Sequence, residues 1–157
     1  MGYAPLPSYV EPPESPLATP DVAKEFPLVL TTGARIPFFF NSEHRQLPHL
    51  RKAYREPQAE IHPDTAARHG IADGEWMWIE TRRGRIRQQA RYAPAIDPNV
   101  VNAEHGWWFP EEPAPEYGVW KSNVNVLTDN GPPYDPQMGT YQLRGLLCRV
   151  ARVEPPA

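Results

Sequence analysis

Short apolar runs alternate with Gly, Pro and polar breaks along most of the chain, a rhythm of strands and turns rather than of long amphipathic helices. Leu28-Val29-Leu30-Thr31-Thr32 predicts a buried strand that stops at Gly33. Ile36 to Phe40 is a second apolar run, unusually aromatic and interrupted by Pro37. Leu47, Leu50 and Tyr54 recur at helical spacing and predict a short helix. Ala59-Glu60-Ile61 predicts a strand, and Pro63 suits a first helical position. Residues 64–69 then predict two helical turns closed by Gly70, which can take the left-handed conformation.

A β-hairpin follows. Asp73-Gly74 predicts a turn, residues 75–81 a strand, Arg82-Arg83-Gly84 a short loop and residues 85–92 the return strand. On the return strand Ile86, Ala90 and Tyr92 alternate with Arg85, Arg87, Gln89 and Arg91, so one face is wet. On the outgoing strand Trp76, Met77, Trp78 and Ile79 are apolar on both faces, as in a central barrel strand. Val100-Val101 opens another strand leading into Glu104-His105-Gly106-Trp107-Trp108-Phe109. Residues 110–145 read mostly as loop, and residues 146–153 as a closing strand. The pattern predicts a mainly β domain with a few short peripheral helices, better suited to a closed barrel than to an open sheet.

Composition sharpens this picture. Proline accounts for 21 of 157 residues, far above ordinary usage and incompatible with a helical bundle. Pro5, Pro7, Pro12, Pro13, Pro16, Pro20 and Pro27 crowd the start, so residues 1–25 are expected to be an extended linker or arm, and residues 26–157 the barrel domain. Such an arm is unusual at a natural N-terminus and ordinary between two parts of a longer protein, so the chain is expected to be a fragment. It has neither the basic nor the apolar region of a signal peptide, and no run approaches the roughly 18 apolar residues of a membrane span. Net charge is −3 with both signs interspersed, which argues against nucleic-acid binding. The single cysteine, Cys148, excludes a disulfide framework within the chain and an all-cysteine metal site, and its apolar strand pattern predicts an inert thiol.

Candidate chemistry lies in four runs, each with a plain structural reading beside it. Thr31-Thr32-Gly33-Ala34-Arg35 could offer backbone N–H groups and a guanidinium to an anion, or be a strand-end turn with a surface arginine. Asn41-Ser42-Glu43-His44-Arg45-Gln46 follows three phenylalanines and reads as a pocket wall or as a solvated loop. His105 beside Gly106 and Trp107 suits hydrogen bonding to a planar ligand or a structural role. Residues 122–130 alternate amides with aliphatics, suiting the edge of a heterocycle or simple turn formation. The clustering of such runs beside aromatics favours a ligand. The five histidines lack zinc-site spacing, no nucleophile elbow occurs, and neither phosphate-loop nor dinucleotide-fold glycine motifs are present.

Taken in order, Thr-Thr-Gly after a strand, Ile-His-Pro-Asp-Thr-Ala at 61–66, Gly70-Ile71-Ala72-Asp73-Gly74, the hairpin, His105-Gly106-Trp107, Asn125-Val126-Leu127-Thr128 and a basic last strand form a telling series. The series resembles the C-terminal molybdopterin-guanine-dinucleotide-binding domain of the dimethyl-sulfoxide-reductase superfamily of molybdenum and tungsten oxidoreductases. Residues 42–46 are most similar to the thiosulfate/polysulfide-reductase-like and acetylene-hydratase-like branches. The resemblance covers about residues 26–154 and implies a six-stranded double-psi β-barrel. It further implies a domain that packs over the rest of a catalytic subunit and holds pterin guanine dinucleotide bearing Mo or W, any iron–sulfur cluster lying upstream. By this resemblance Thr32, Gly33 and Arg35 match the family's Thr-Gly-Arg contact segment, with Ala34 inserted. Asn41 and Ser42 fall where relatives often carry a His-Thr pair; His105, Gly106 and Trp107 match a segment near the metal-proximal end; Asn125 matches the Asn of Asn-x-Leu-Thr.

The partners implied are the remaining domains of that subunit and an electron-transfer iron–sulfur subunit, with no metal ligand or catalytic residue in this chain. The rival readings are a stand-alone β-barrel protein-interaction module and a self-processing decarboxylase barrel, the latter lacking its Gly-Ser processing site. The compartment, cytoplasm or periplasm, is not legible.

Overall fold

Six strands carry the fold: β1 (Leu28–Ala34), β2 (Gln58–Ile61), β3 (Trp76–Glu80), β4 (Arg85–Tyr92), β5 (Val100–Glu104) and β6 (Leu146–Arg152). In the computed structural model they close into a barrel in the order β1-β5-β2-β4-β3-β6, with β6 returning to β1. The β1–β5 and β2–β4 pairs are parallel, and the other pairings are antiparallel. Closure leaves no strand edge unpaired, which short strands with frequent breaks require. The mainly β barrel with short peripheral helices matches the expectation from the sequence. The structure describes residues 6 and 8–154; Pro5, Pro7 and the rest of 1–5, and residues 155–157, lie outside the described residues.

Side chains alternate across each strand, so every second residue enters the barrel. Leu28 and Leu30, Ala59 and Ile61, Met77 and Ile79, Ile86 and Ala90, Val101 and Ala103 meet there in one core. Trp76 and Trp78 take the outer face, each beneath an arginine of the neighbouring strand: Arg87 stands 5.1 Å from the Trp76 ring and Arg85 4.4 Å from that of Trp78. This explains how β3 can be apolar on both faces while its outer face meets water.

Helix α2 (Pro48–Ala53) lies within the span predicted from Leu47, Leu50 and Tyr54. Leu50 and Tyr54 pack on a second, smaller core of Phe39, Trp107 and Phe109. Helix α3 (Pro63–Arg68) starts at Pro63, the His62 ring accepting from the Asp64 N–H, and Gly70 adopts φ +64° just beyond its end.

One local expectation is corrected. The arm is not extended throughout, since helix α1 occupies Pro20–Glu25. Pro20 stands in its first turn, where the N–H that proline lacks has no helical partner anyway. The arm is also pinned earlier: Glu14 Oε1 accepts from the Leu147 N–H at 2.9 Å, and Glu14 Oε2 pairs with Arg82 at 2.8 Å. The aromatic run Ile36–Phe40 forms turns and bends, Pro37 having no N–H for a sheet ladder. Within 110–145 the chain makes a short helix α4 (Val119–Ser122) and a 3₁₀ turn at Val124–Val126.

Candidate functional site

The site begins with an irregularity in β1. Thr31 pairs with Asn102 on β5, but Ala34 pairs with Glu104, so β1 carries one residue more than its partner over this stretch. The bulge re-aims Thr32 and Gly33 out of the regular ladder. Around it opens a cleft of about 290 Å³ lined by Thr32, Gly33, Arg35, Asn41, His105 and Asn125, together with Val124, Thr128, Leu143 and Arg144. Gly33 and Asn125, which the sequence separates widely, thus face one cavity. A second cleft of about 420 Å³ meets the first at Gly33 and Arg35 and continues past Glu60, Arg91, Asn102 and Glu104.

Each wall is held in place by identifiable bonds. The His105 ring bridges the Ala34 carbonyl through Nδ1 and the Asn41 side-chain oxygen through Nε2, both at 3.0 Å. Gly106 adopts φ +67° and lies so close to the loop that an added Cβ would stand 3.1 Å from Ser42 N and 3.2 Å from Asn41 C. The 3₁₀ turn bearing Asn125 is seated by Asn123, whose side chain accepts from the Asn125 N–H at 3.0 Å and donates to the Trp107 carbonyl at 3.1 Å. From the barrel side, Thr81 Oγ1 donates to the Leu127 carbonyl at 2.8 Å. The opposite rim is fixed by Thr32 Oγ1 donating to the Leu143 carbonyl at 2.6 Å and by the Gly145 N–H donating to Leu30 O at 2.8 Å.

Three residues that the sequence reading grouped with these, Gly106, Trp107 and Ser42, do not line the cleft, Gly106 packing instead against the backbone of Asn41 and Ser42. Trp107 is completely buried, its ring forming the second core with Phe39 and Phe109 and its carbonyl holding Asn123. Ser42 is exposed beside the cleft, its carbonyl accepting from Trp108 Nε1 at 2.6 Å. Conversely, Thr128 and Arg144 line the cleft and were not singled out as contacts. Arg144 was legible in principle, as a cation at the start of the last strand beside a glycine, but nothing in its local pattern ties it to Gly33.

The electrostatics of the first cleft are one-sided. Arg35 and Arg144 face it, no carboxylate lines it, and neither arginine has an ion-pair partner among the described residues. Behind the wall sits Glu104, buried, accepting from the Tyr54 hydroxyl and from the Gln58 N–H at 3.1 Å. Burial pushes its carboxyl up to about 7, against the lowering pull of Tyr54, Gln58 and Arg45. Among the described residues no group of three or more His, Cys, Asp or Glu is arranged to hold a metal ion, and no helix is long and apolar enough to cross a membrane.

A cleft that offers amides, hydroxyls, a bulged glycine backbone and two guanidiniums has the donors and acceptors for a flat heterocycle carrying phosphate. The family signature agrees. Residues 28–147 match the sequence model of the molydopterin dinucleotide-binding domain. The chain belongs to this family. It is 45% identical over 150 residues to dopamine dehydroxylase of Eggerthella lenta, an alignment covering 96% of this chain and 15% of that protein. It is 38% identical to acetylene hydratase of Syntrophotalea acetylenica, over 92% of this chain and 20% of that protein. The solved structure of acetylene hydratase from Pelobacter acetylenicus superposes with a TM-score of 0.88 at 34% identity, covering 97% of this chain and 22% of that one. The barrel is therefore a molybdopterin dinucleotide-binding domain, and the chain spans a fifth or less of the length of these two curated relatives.

Proposed function

We propose that this chain is the pterin-dinucleotide-binding domain of a molybdenum or tungsten oxidoreductase catalytic subunit, and that the Gly33–Asn125 cleft is its share of the cofactor site. The cofactor is molybdopterin guanine dinucleotide bearing Mo or W, gripped jointly with the remaining domains of that subunit. The observation that carries this reading is the convergence of Gly33 and Asn125 on one cavity free of carboxylates.

In this reading the diphosphate lies against the β1 bulge, where Arg35 and Arg144 supply charge-assisted hydrogen bonds. Asn125, Asn41 and the Thr128 hydroxyl present mixed donors and acceptors to a heterocycle edge. His105 and Gly106 act on the position of Asn41, and Trp107 holds the 3₁₀ turn in place through Asn123. Thr32 anchors the rim that carries Arg144, and Ser42 flanks the cleft beside Asn41. The bound group supplies the redox chemistry, while this chain orients it and neutralises its charge. Any iron–sulfur cluster, the metal's protein ligand and a docking site for an electron-transfer iron–sulfur subunit belong to the part of the subunit the chain does not span. No observation favours a stand-alone interaction module.

The test is a titration of the isotope-labelled chain with GDP, following backbone amide shifts. Saturable shifts at Gly33, Asn125 and Thr128 are the expected result. Shifts scattered over the surface, or none at millimolar ligand, would reject the cleft as a nucleotide site.

A further inference from the structure

A different cavity is larger than either of these clefts. It is a groove of about 820 Å³ between α2, the Phe109–Glu112 loop and the outer face of β3 and β4. Trp76, Phe109, Pro48 and Pro110 supply apolar patches among charged residues whose balance is positive. Arg51 is paired with Glu111 and Lys121 with Glu112, and Arg87 lies over Trp76. What remains unmatched is Lys52 and Arg55, without ion-pair partners among the described residues, against the single carboxylate of Glu56.

Arg45 lines the inner end of the groove, and it is an unusual group. It is 1% exposed, its guanidinium wedged between the Phe39 and Trp107 rings at 4.8 and 4.6 Å. Nη1 donates to the Asn41 carbonyl at 2.8 Å, while Nε has no hydrogen-bond partner. Stacked between two rings and closed to the groove, this cation adds positive potential at its inner end without offering a donor to a ligand.

We propose that this groove docks an extended acidic peptide segment from the part of the catalytic subunit outside this chain, its carboxylates meeting Lys52 and Arg55. The inference rests on reading the chain as one domain of a longer subunit; its relatives here extend four- to six-fold beyond the matched region, so ample chain exists to supply the segment. Shape argues for a peptide rather than a small ligand, because the groove is open and flanked by rings and prolines, whereas small-molecule sites enclose most of their ligand. The chain's net charge of −3 argues against a nucleic acid. With Glu111 and Glu112 neutralised by Arg51 and Lys121, the carboxylates lining the groove can accept the N–H groups of a peptide.

The experiment titrates the labelled 157-residue chain with acetylated hexaglutamate amide at about 0.15 M salt, and separately with inorganic phosphate and GDP. Saturable shifts around Lys52, Arg55, Trp76 and Lys121 are expected with the peptide. The K52E/R55E variant, altered on the surface alone, should bind it about tenfold more weakly or worse, and R35Q/R144Q should bind it as the parent does. Absence of saturable binding, binding unchanged in K52E/R55E, or equal shifts with phosphate alone would each overturn the proposal. GDP keeps the two readings separate. If GDP fails to shift the Gly33–Asn125 cleft while hexaglutamate binds the groove, the cofactor reading falls and the groove stands; the reverse result removes only the groove.

Discussion

The guanidinium of Arg144 lies against the Cα of Gly33, so closely that a β-carbon there would stand 3.0 Å from Nη2 and 3.1 Å from Cζ. Glycine is thus used for proximity, letting a cation from the last loop lie over the bulge of β1. A Gly33→Val chain keeps a backbone that strand residues adopt freely, but its branched side chain expels the guanidinium. GDP affinity, measured by isothermal titration calorimetry, should fall about tenfold, while stability to urea changes by less than about 1 kcal/mol because Arg144 is exposed and can move away. Equal GDP affinity in the variant and the parent would remove Arg144 from the site.

Gly106 is a different case, since both its conformation and its surroundings demand glycine. With φ +67° and backbone atoms of Asn41 and Ser42 at 3.1–3.2 Å from any Cβ, Gly106→Ala has nowhere to place its methyl. The Asn41 loop must move and the His105–Asn41 bond must stretch. The expected cost is about 1–3 kcal/mol in chemical denaturation. Amide shifts at Asn41 and His105 should exceed those anywhere on the far side of the barrel.

Most of the barrel was legible because its strands obey a period of two and are punctuated by glycine and proline. The hairpin and α3 fell within a residue or two of their predicted limits, and Gly70 takes the left-handed conformation its position suggested. Helix α1 was not legible, since prolines that discourage a helix interior are welcome in its first turn. For the site, the strand-end glycine and the Asn-rich segment were visible as local chemistry. Arg144 was not, because its proximity to Gly33 is created by barrel closure, and closure leaves no mark in either segment. Trp107 misled for a related reason: an aromatic beside His-Gly reads the same in sequence whether it faces a ligand or, as here, a core.

Gln88 is a polar residue inside the barrel that a hydrophobic pattern cannot explain, and its bonds do. Its amide donates to the Glu104 carbonyl at 2.9 Å and the Ser122 carbonyl at 3.1 Å, and its oxygen accepts from the Glu104 N–H at 3.1 Å. It therefore ties the end of β5 to α4, just before His105 and the Asn125 turn. Gln88→Leu keeps the volume and strands those three backbone groups in a dry interior. A loss of about 2–4 kcal/mol is expected in urea unfolding. GDP binding should weaken as well, because both walls of the cleft hang from the points Gln88 joins.

Glu104 makes stability depend on pH in a direction opposite to that of most carboxylates. Burial holds its folded-state carboxyl at about 7 against an ordinary 4.5, so the folded chain binds more protons than the unfolded one between those values. Stability should therefore fall as pH rises through that window and level off above about 7, by roughly 3 kcal/mol at 1.36 kcal/mol per pH unit. Glu56, also raised by burial, adds a contribution of the same sign, whereas His69, lowered by burial, opposes it over part of the range. The comparison of Glu104→Gln with the parent isolates the one group, since the amide oxygen can still accept from the Gln58 N–H while the amide N–H donates to the Tyr54 hydroxyl oxygen. Urea unfolding at about pH 5 and about pH 8 should show the parent losing more stability on going to the higher pH than the variant does. Parallel profiles would mean that the Tyr54, Gln58 and Arg45 contacts already offset the burial, leaving Glu104 charged at neutral pH.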